Sequence, residues 1–162
     1  MARGQMLLAL ASLLLTAGCE YYEKPFKPIP DSFEITTLDG TVLRRSDLLG
    51  KPWVINIWVP GCSICVREFP GLEAVRREYE PKGVGFLAVS IEPDEALVRA
   101  AAAKIGLGQT VAISENETLG PLSVNQVPST VFVNAEGVIV AAASGERDRN
   151  FLAKRTRALL GE

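Results

Sequence analysis

The sequence predicts an α/β fold in which a central mixed β-sheet carries helices on both faces. The 162-residue chain is 48% apolar, which is enough for one domain with an ordinary core. Strand-like and helix-like segments alternate through the middle of the chain, and a hairpin and a final helix follow them. With 17 Lys+Arg against 19 Asp+Glu, the formal net charge of −2 gives no electrostatic footprint for nucleic acid.

Residues 1–18 are predicted to be an export signal. Arg3 gives a positive start, and an apolar run over residues 6–15 leads to small residues before Cys19. The run is about half the ~20 apolar residues that a membrane-spanning helix needs, so it favours a signal over a permanent span. The ending Gly18-Cys19 resembles a bacterial lipoprotein signal, which implies that Cys19 is lipidated and anchors the chain to a membrane. The alternative is an ordinary cleaved secretory signal.

Residues 19–31 are predicted to form a proline-rich tether, and residues 32–162 to form the folded domain. The tether segment contains three prolines and shows no apolar periodicity, which is typical of an extended spacer. The alternative is a disordered N-terminus.

Residue periodicity predicts the elements of the domain in order. Asp39-Gly40 is a turn signal, so the first two strands are expected to form an N-terminal β-hairpin extension. Residues 53–58 are continuously apolar except for Asn56, as expected for a strand covered on both faces. The expected strands are residues 33–36, 41–43, 53–58, 83–91, 110–113, 130–133 and 138–141. The expected helices are residues 62–79, 93–105, 115–124 and 148–160.

The strongest functional signal is Cys62-Ser63-Ile64-Cys65, which follows a buried strand and opens a helix. Cysteines three residues apart at a helix start lie one above the other, so their sulfurs can close and reopen a small disulfide. Cys62 would face unpaired N–H groups and the positive end of the helix dipole, which favour the thiolate, whereas Cys65 would be shielded. This asymmetry predicts that Cys62 attacks a partner disulfide and that Cys65 resolves the mixed disulfide.

Two other interpretations of the cysteine pair stay open. A zinc site would need two further ligands, and the chain has no histidine, so we expect no metal and no cofactor. A static structural disulfide is the more serious alternative, because exported proteins form disulfides readily. A bridge over so short a loop, however, contributes little entropic stabilisation.

The domain resembles the thioredoxin-fold thiol:disulfide oxidoreductases of the TlpA/ResA/CcmG type, within the wider redoxin group. The matching stretches are residues 33–40, 48–58, 62–70 and 127–133. The resemblance implies a thioredoxin-like fold, a cis Pro128 that faces the cysteine pair, and a Val127 backbone free to pair with a substrate strand. It also implies a proton-handling role for Glu92, for which helix capping is the alternative. Asn56 stands where thioredoxins have a buried Asp.

These observations predict an extracytoplasmic, lipid-anchored thiol:disulfide oxidoreductase that reduces protein disulfides, as the family's cytochrome c maturation members do. The expected partners are protein disulfide substrates and a membrane thiol relay that donates electrons, on the periplasmic face in a Gram-negative organism. The sequence departs from the family at Gly61 and Ile64, where Trp and Pro are usual. The dipeptide between the cysteines helps to set the redox potential and the direction of electron flow.

Two alternative functions stay open for such a domain. A redoxin-type thiol peroxidase needs a Thr or Ser hydroxyl three residues before the reactive cysteine, and Val59 stands there. A non-catalytic, tethered binding module would hold a static disulfide that resists reduction. A copper-delivery role is disfavoured, because related copper chaperones use a C-x-x-x-C motif together with histidine.

Overall fold

The structure is a computed structural model that describes residues 21–22, 27–114, 122, 124 and 126–162. The predicted export signal, Cys19 and most of the helix expected over residues 115–124 lie outside the described residues. Within the part of the chain that is described, no helix is long and apolar enough to cross a membrane.

The strands join in one mixed sheet, as the sequence predicts. Their spatial order is β1-β9-β8-β5-β6-β7-β3-β4, and β2 also pairs with β9. Strands β5, β6 and β7 run parallel to one another, and the other pairings are antiparallel. The strands are β1 Tyr21–Tyr22, β2 Lys27–Pro28, β3 Glu34–Thr37, β4 Val42–Arg44, β5 Trp53–Trp58, β6 Gly85–Ser90, β7 Thr110–Ile113, β8 Ser129–Val133 and β9 Val138–Ser144.

Three α-helices lie within the described residues. They are α1 Ser63–Tyr79, α2 Glu95–Ile105 and α3 Arg149–Ala158, and 3-10 turns cover Arg45–Leu48 and Glu80–Lys82. Helix α1 connects β5 to β6, and α2 connects β6 to β7. Such crossovers are what parallel neighbours require, because a tight turn can join only antiparallel strands.

The sheet separates two cores. On one face, Trp58 of β5 packs with Phe69 of α1, Val98 of α2 and Leu152 of α3. The described α-helices therefore all lie on this face. Helices on both faces were expected, and the helix predicted over residues 115–124 falls largely outside the described residues.

The opposite face is covered without an α-helix among the described residues. Its core contains Ile29, Phe33, Leu48 of the first 3-10 turn and Leu122, packed beneath β5 and β6. The predicted N-terminal hairpin is present as β3 and β4, and β3 pairs with β7 at one edge of the sheet.

Part of the predicted tether is bound to the domain. Strands β1 and β2 pair with β9, where Tyr21 lies opposite Ala143 and Lys27 lies opposite Ile139. They cover an edge that would otherwise present unpaired backbone groups. Ile29 is only 1% exposed and belongs to the core beneath β5 and β6.

Candidate active site

The cysteine pair lies where β5 turns into α1. Gly61 has φ of 79° and makes the turn in the left-handed region, where a side chain would be strained. Cys62 is the N-cap of α1, and its Sγ accepts a hydrogen bond from the backbone N–H of Cys65 at 3.1 Å. The two sulfurs form a disulfide. Cys62 is half-buried, whereas Cys65 is 1% exposed.

This arrangement distinguishes the two sulfurs chemically. The Sγ of Cys62 sits at the positive end of the α1 dipole and faces a backbone donor, and both features stabilise a thiolate once the bridge is reduced. Cys65 lies one turn deeper, in the core that contains Trp58 and Phe69. The site can therefore present one sulfur to a partner while it protects the other.

The loop before β8 lies beside the end of β5, next to the cysteine pair. The Val127–Pro128 peptide bond is cis, which is the isomer that the resemblance implies. Ser129 pairs with Ile57, so residues 127 and 128 lie beside the end of β5, where the chain leads towards Cys62. Val127 and Cys62 are both half-buried, and both pack against the core that includes Cys65.

A buried carboxyl group, Glu68, lies one helical turn after Cys65. Glu68 is 3% exposed, and its Oε2 accepts a hydrogen bond of 2.8 Å from Nδ2 of Asn56. Its Oε1 accepts one of 2.9 Å from the backbone N–H of Arg147. The Nδ2 of Asn56 also donates to Oγ1 of Thr130 at 3.0 Å. This network joins β5, α1, β8 and the loop before α3.

Burial dominates the electrostatics of Glu68. Desolvation is the largest effect, and the pKa of the carboxyl group is raised from 4.5 to about 7. The hydrogen bonds from Arg147 and Asn56 and the charge of Arg147 act in the opposite direction and lower the pKa. The neighbouring charge of Glu146 raises it further. A group with such a pKa can take up and release a proton near neutral pH, which is what a thiol-exchange site requires.

The sequence alone predicts no role for Glu68, although the pattern of α1 contains a signal for it. Residues 65, 68, 72, 75 and 79 form one stripe along α1 at spacings of three and four, and all five are buried. A carboxyl group in such a stripe breaks the apolar pattern. Buried carboxyl groups are rare unless they are paired or functional, so this break was the available clue.

Glu92 lies in the loop between β6 and α2. Its Oε1 accepts a hydrogen bond of 3.1 Å from the backbone N–H of Asp94, and Asp94 is the N-cap of α2. This is a contact of the kind that the capping alternative expects. The proton-handling role of Glu92 stays a prediction.

The expectation that the protein holds no metal stays a prediction. Within the described ranges, no group of three or more His, Cys, Asp or Glu side chains is placed to hold a metal ion. The two cysteines of the motif are joined to each other.

Comparisons with known proteins identify the family. Residues 24–159 match the Redoxin family. The thiol-disulfide oxidoreductase ResA of Geobacillus kaustophilus is 30% identical over 117 residues, which cover 72% of this chain and 67% of that protein.

Solved structures agree with this fold. A protein from Chlorobium tepidum, described as a thiol:disulfide interchange protein DsbE, superposes with a TM-score of 0.78 over 86% of this chain and 100% of its own, at 23% identity. A secreted disulfide oxidoreductase of Mycobacterium tuberculosis, described as homologous to DsbE of E. coli, has a TM-score of 0.66 and 26% identity over 78% of this chain and 95% of its own. The fold is therefore thioredoxin-like. Because the family match covers most of the chain, the protein belongs to the Redoxin family and is a TlpA/ResA/CcmG-like thiol:disulfide oxidoreductase.

Proposed function

We propose that the protein is an extracytoplasmic, lipid-anchored enzyme that reduces disulfides in other proteins, called clients below. The observation that carries this proposal is the pairing of an accessible Cys62 at the N-terminus of α1 with a buried Cys65 one turn below. The signal-like residues 1–18 and the secreted relative from Mycobacterium tuberculosis support an extracytoplasmic site. Cys19 is the proposed site of lipidation.

The reaction is a pair of thiol–disulfide exchanges. The thiolate of reduced Cys62 attacks one sulfur of the client disulfide, so that bond breaks and one client thiolate leaves. The thiolate of Cys65 then attacks the Cys62 sulfur of the mixed disulfide and releases the second client thiolate. Two electrons pass from the cysteine pair to the client, whose two thiolates end as thiols. The Cys62–Cys65 disulfide of the structure is the product state.

Glu68 is our proposed proton acceptor for Cys65. Cys65 must lose its proton before it can attack, and it is buried where water does not reach it freely. Glu68 is three residues further along α1, so the two side chains share one face of the helix. Glu92 is the second candidate for this role, and it differs from Glu68 in its contact with the start of α2.

The client segment is proposed to pair with the backbone at Val127, beside the cis Pro128. This placement lets an extended strand of the client lie across the sheet edge that holds Cys62. The electron source is proposed to be a membrane thiol relay, because a reductant in an oxidising compartment needs regeneration. Cytochrome c maturation is the client pathway that the family resemblance favours.

Trapping the mixed disulfide tests this function. In a Cys65→Ser variant the second exchange cannot occur, so we expect Cys62 to remain joined to client cysteines in membrane extracts of the native host. Non-reducing electrophoresis followed by mass spectrometry identifies the adducts. The Cys62→Ser variant is the matched control and should trap little. Equal trapping by the two variants, or none by Cys65→Ser, would contradict the proposal.

A further inference from the structure

A groove lies between α1 and α2 on the helix-covered face. Its volume is about 620 Å³. Gly61 and Ser63, the neighbours of Cys62, form one end, and Arg77 and Lys104 form the other. The groove therefore starts at the two residues that flank Cys62 and leads away from them along α1.

The side of the groove on α1 is a regular stripe. Ser63, Val66, Pro70, Glu73 and Arg77 follow each other at spacings of three and four, so they share one face of the helix. This stripe differs from the buried one that carries Cys65 and Glu68. It faces the groove, and Val66 within it is 44% exposed.

Apolar side chains form most of the lining. Phe69, Ala101, Ile105 and Leu107 line the groove together with Val66. Leu97 is 48% exposed and lies one turn before Ala101 on α2, so it extends the apolar surface along the same helix face. An uncovered apolar surface that continues from a reactive centre is typical of a binding surface.

The far end of the groove carries positive charge. Both oxygens of Glu73 accept hydrogen bonds from Arg76, and Oε1 also accepts one of 3.0 Å from Arg77. Arg76 also forms an ion pair with Glu80, so the two guanidinium groups are balanced by two carboxylates, and the excess positive charge comes from Lys104. Lys104, in the last turn of α2, is exposed and has no ion pair within the described residues. The end of the groove is therefore complementary to an acidic group.

We propose that this groove binds an apolar segment of the client next to its disulfide, with a client carboxylate at the far end beside Lys104 and Arg77. The proposal rests on the proposed function, because the client must place a sulfur at Cys62. Residues 1–18 are a less suitable occupant, since they are expected to be removed as an export signal.

The length of the groove defines how many residues separate the attacked cysteine of the client from its acidic residue. Ser63 and Arg77 are fourteen residues apart on α1, which corresponds to about 21 Å of helix at ~1.5 Å per residue. An extended client covers that distance in about six residues at ~3.3 Å each. The preferred client thus has an acidic residue about six positions from the cysteine that Cys62 attacks.

Synthetic peptides test this preference with the full chain, reduced before use. Each peptide carries an intramolecular C-x-x-C disulfide and a six-residue flank, placed before or after the disulfide in separate peptides. The three flanks are apolar ending in Asp, apolar ending in Lys, and Ser-rich ending in Asp. The rate at which each peptide oxidises the reduced protein is compared with the rate of neutral 2-hydroxyethyl disulfide.

We expect the wild type to react fastest with the apolar flank that ends in Asp. Val66→Gln should slow that reaction about fivefold and leave 2-hydroxyethyl disulfide unaffected, because one apolar contact is lost while the sulfur chemistry is not. Lys104→Glu should reverse the order of the Asp- and Lys-ended peptides. Val42→Gln on β4 and Lys154→Glu on α3, both exposed and distant in the sequence from α1 and α2, are matched controls that should change nothing.

The outcomes separate this inference from the proposed function. Equal rates with apolar and Ser-rich flanks would overturn the groove proposal while disulfide reduction itself stands. A concentration-dependent dimer that Val66→Gln dissociates would also overturn it, because the groove would then hold a second copy. No oxidation of the reduced wild type by any of the peptides or by 2-hydroxyethyl disulfide would instead contradict the proposed function.

Discussion

At the N-terminus of α1, one helical turn separates the half-buried Cys62 from the fully buried Cys65. The backbone N–H of Cys65 points at Sγ of Cys62, so the same turn that protects one cysteine stabilises charge on the other. Beneath them, Glu68 joins the backbone of Arg147 to the side chain of Asn56. The chemistry of the pair thus depends on a few hydrogen bonds within one turn and the strand behind it.

The buried Glu68 makes stability depend on pH. Its folded pKa of about 7 lies above the usual 4.5, so the folded state holds a proton that the unfolded state releases over that interval. Stability from this group is present below pH 4.5 and falls as pH rises to 7, by on the order of 3 kcal/mol.

We expect Glu68→Gln to flatten this slope. Urea unfolding of the oxidised protein at pH 5 and pH 8 measures it, and the comparison of the two pH values cancels the cost of the altered hydrogen bonds. The matched substitution Glu92→Gln should retain the wild-type slope. If Glu68→Gln keeps the slope and Glu92→Gln removes it, the assignment of the titrating group is wrong.

The same two variants distinguish the proton acceptors in catalysis. Glu68→Gln should slow the release of client from the mixed disulfide by about 10²-fold, the usual scale for loss of a positioned acid–base group. Glu92→Gln should leave that step within about twofold of wild type, because we assign the acid–base role to Glu68. Stopped-flow measurement of the second exchange, with a fluorescent client peptide, reads the step directly. The reverse order of effects would favour Glu92.

At the residue scale, the sequence predicts those site residues whose role depends on their spacing along the chain. Cys62 and Cys65 are recognisable because their separation and their position before a helix act within one turn. Glu68 interrupts the apolar stripe of α1, but its pKa depends on burial beneath β5 and on the Arg147 backbone 79 residues away, which local spacing does not show. The sequence shows that Asn56 stands where thioredoxins have a buried Asp. Its hydrogen bond with Glu68 is visible only in the folded structure.

At the scale of elements, β5 and β6 define the position of the site. All six residues of each strand are buried, and they pair in parallel from Trp53 opposite Gly85 to Trp58 opposite Ser90. The chain leaves β5 at Trp58 and reaches Cys62 four residues later, so the register of this pair controls where the cysteines stand. The Trp53 side chain lies over Gly85 and donates to the Leu48 carbonyl oxygen at 3.1 Å.

Gly85→Ala should destabilise the protein by about 1–3 kcal/mol. A Cβ at this position would overlap the Trp53 ring, which is held by its hydrogen bond and cannot move away easily. Chemical denaturation measures the effect. Gly71→Ala on α1 is the matched control, because its nearest neighbour would be Arg149 N at 3.4 Å, and Ala favours the helix by up to ~1 kcal/mol. Equal stability of the two variants would contradict the packing described for β5 and β6.

Elements with strong periodicity were predicted closely, and pairings at the sheet edges were not. The expected strand at residues 53–58 is β5 to the residue, and the helix expected from residue 62 begins at Ser63 with Cys62 as its cap. By contrast, β1 and β2 are two residues long and acquire their structure from β9, more than a hundred residues away. Periodicity in a window cannot show such contacts. For the same reason β9 extends to Ser144, beyond its predicted end at residue 141.

At the scale of the whole molecule, the active-site edge is held together by contacts between distant segments. The N–H of Gly145 donates to the Pro128 carbonyl oxygen at 2.8 Å, and Arg67 of α1 forms an ion pair with Glu146 at 2.9 Å. Together with Glu68 and Arg147, these contacts fix the loop before α3 against both α1 and the Pro128 segment.

The proposed lipid anchor at Cys19 is tested in cells of the native host. We expect Cys19→Ser to move the protein from the membrane fraction to the soluble fraction and to abolish labelling by a radioactive fatty acid, since two acyl chains hold a protein stably at a bilayer. Disulfide reduction by the purified variant should be unchanged. Retention of the label after this substitution would contradict lipidation at Cys19.

The most direct test of the account is the alkylation of each cysteine in the reduced protein at pH 7. Iodoacetamide reacts with thiolates, and mass spectrometry of the quenched samples gives a separate rate for each residue. We predict that Cys62 reacts about tenfold or more faster than Cys65 and also faster than free cysteine. If Cys65 is modified first, or if Cys62 is no more reactive than free cysteine, the assignment of Cys62 as the nucleophile and Cys65 as the resolving cysteine is wrong.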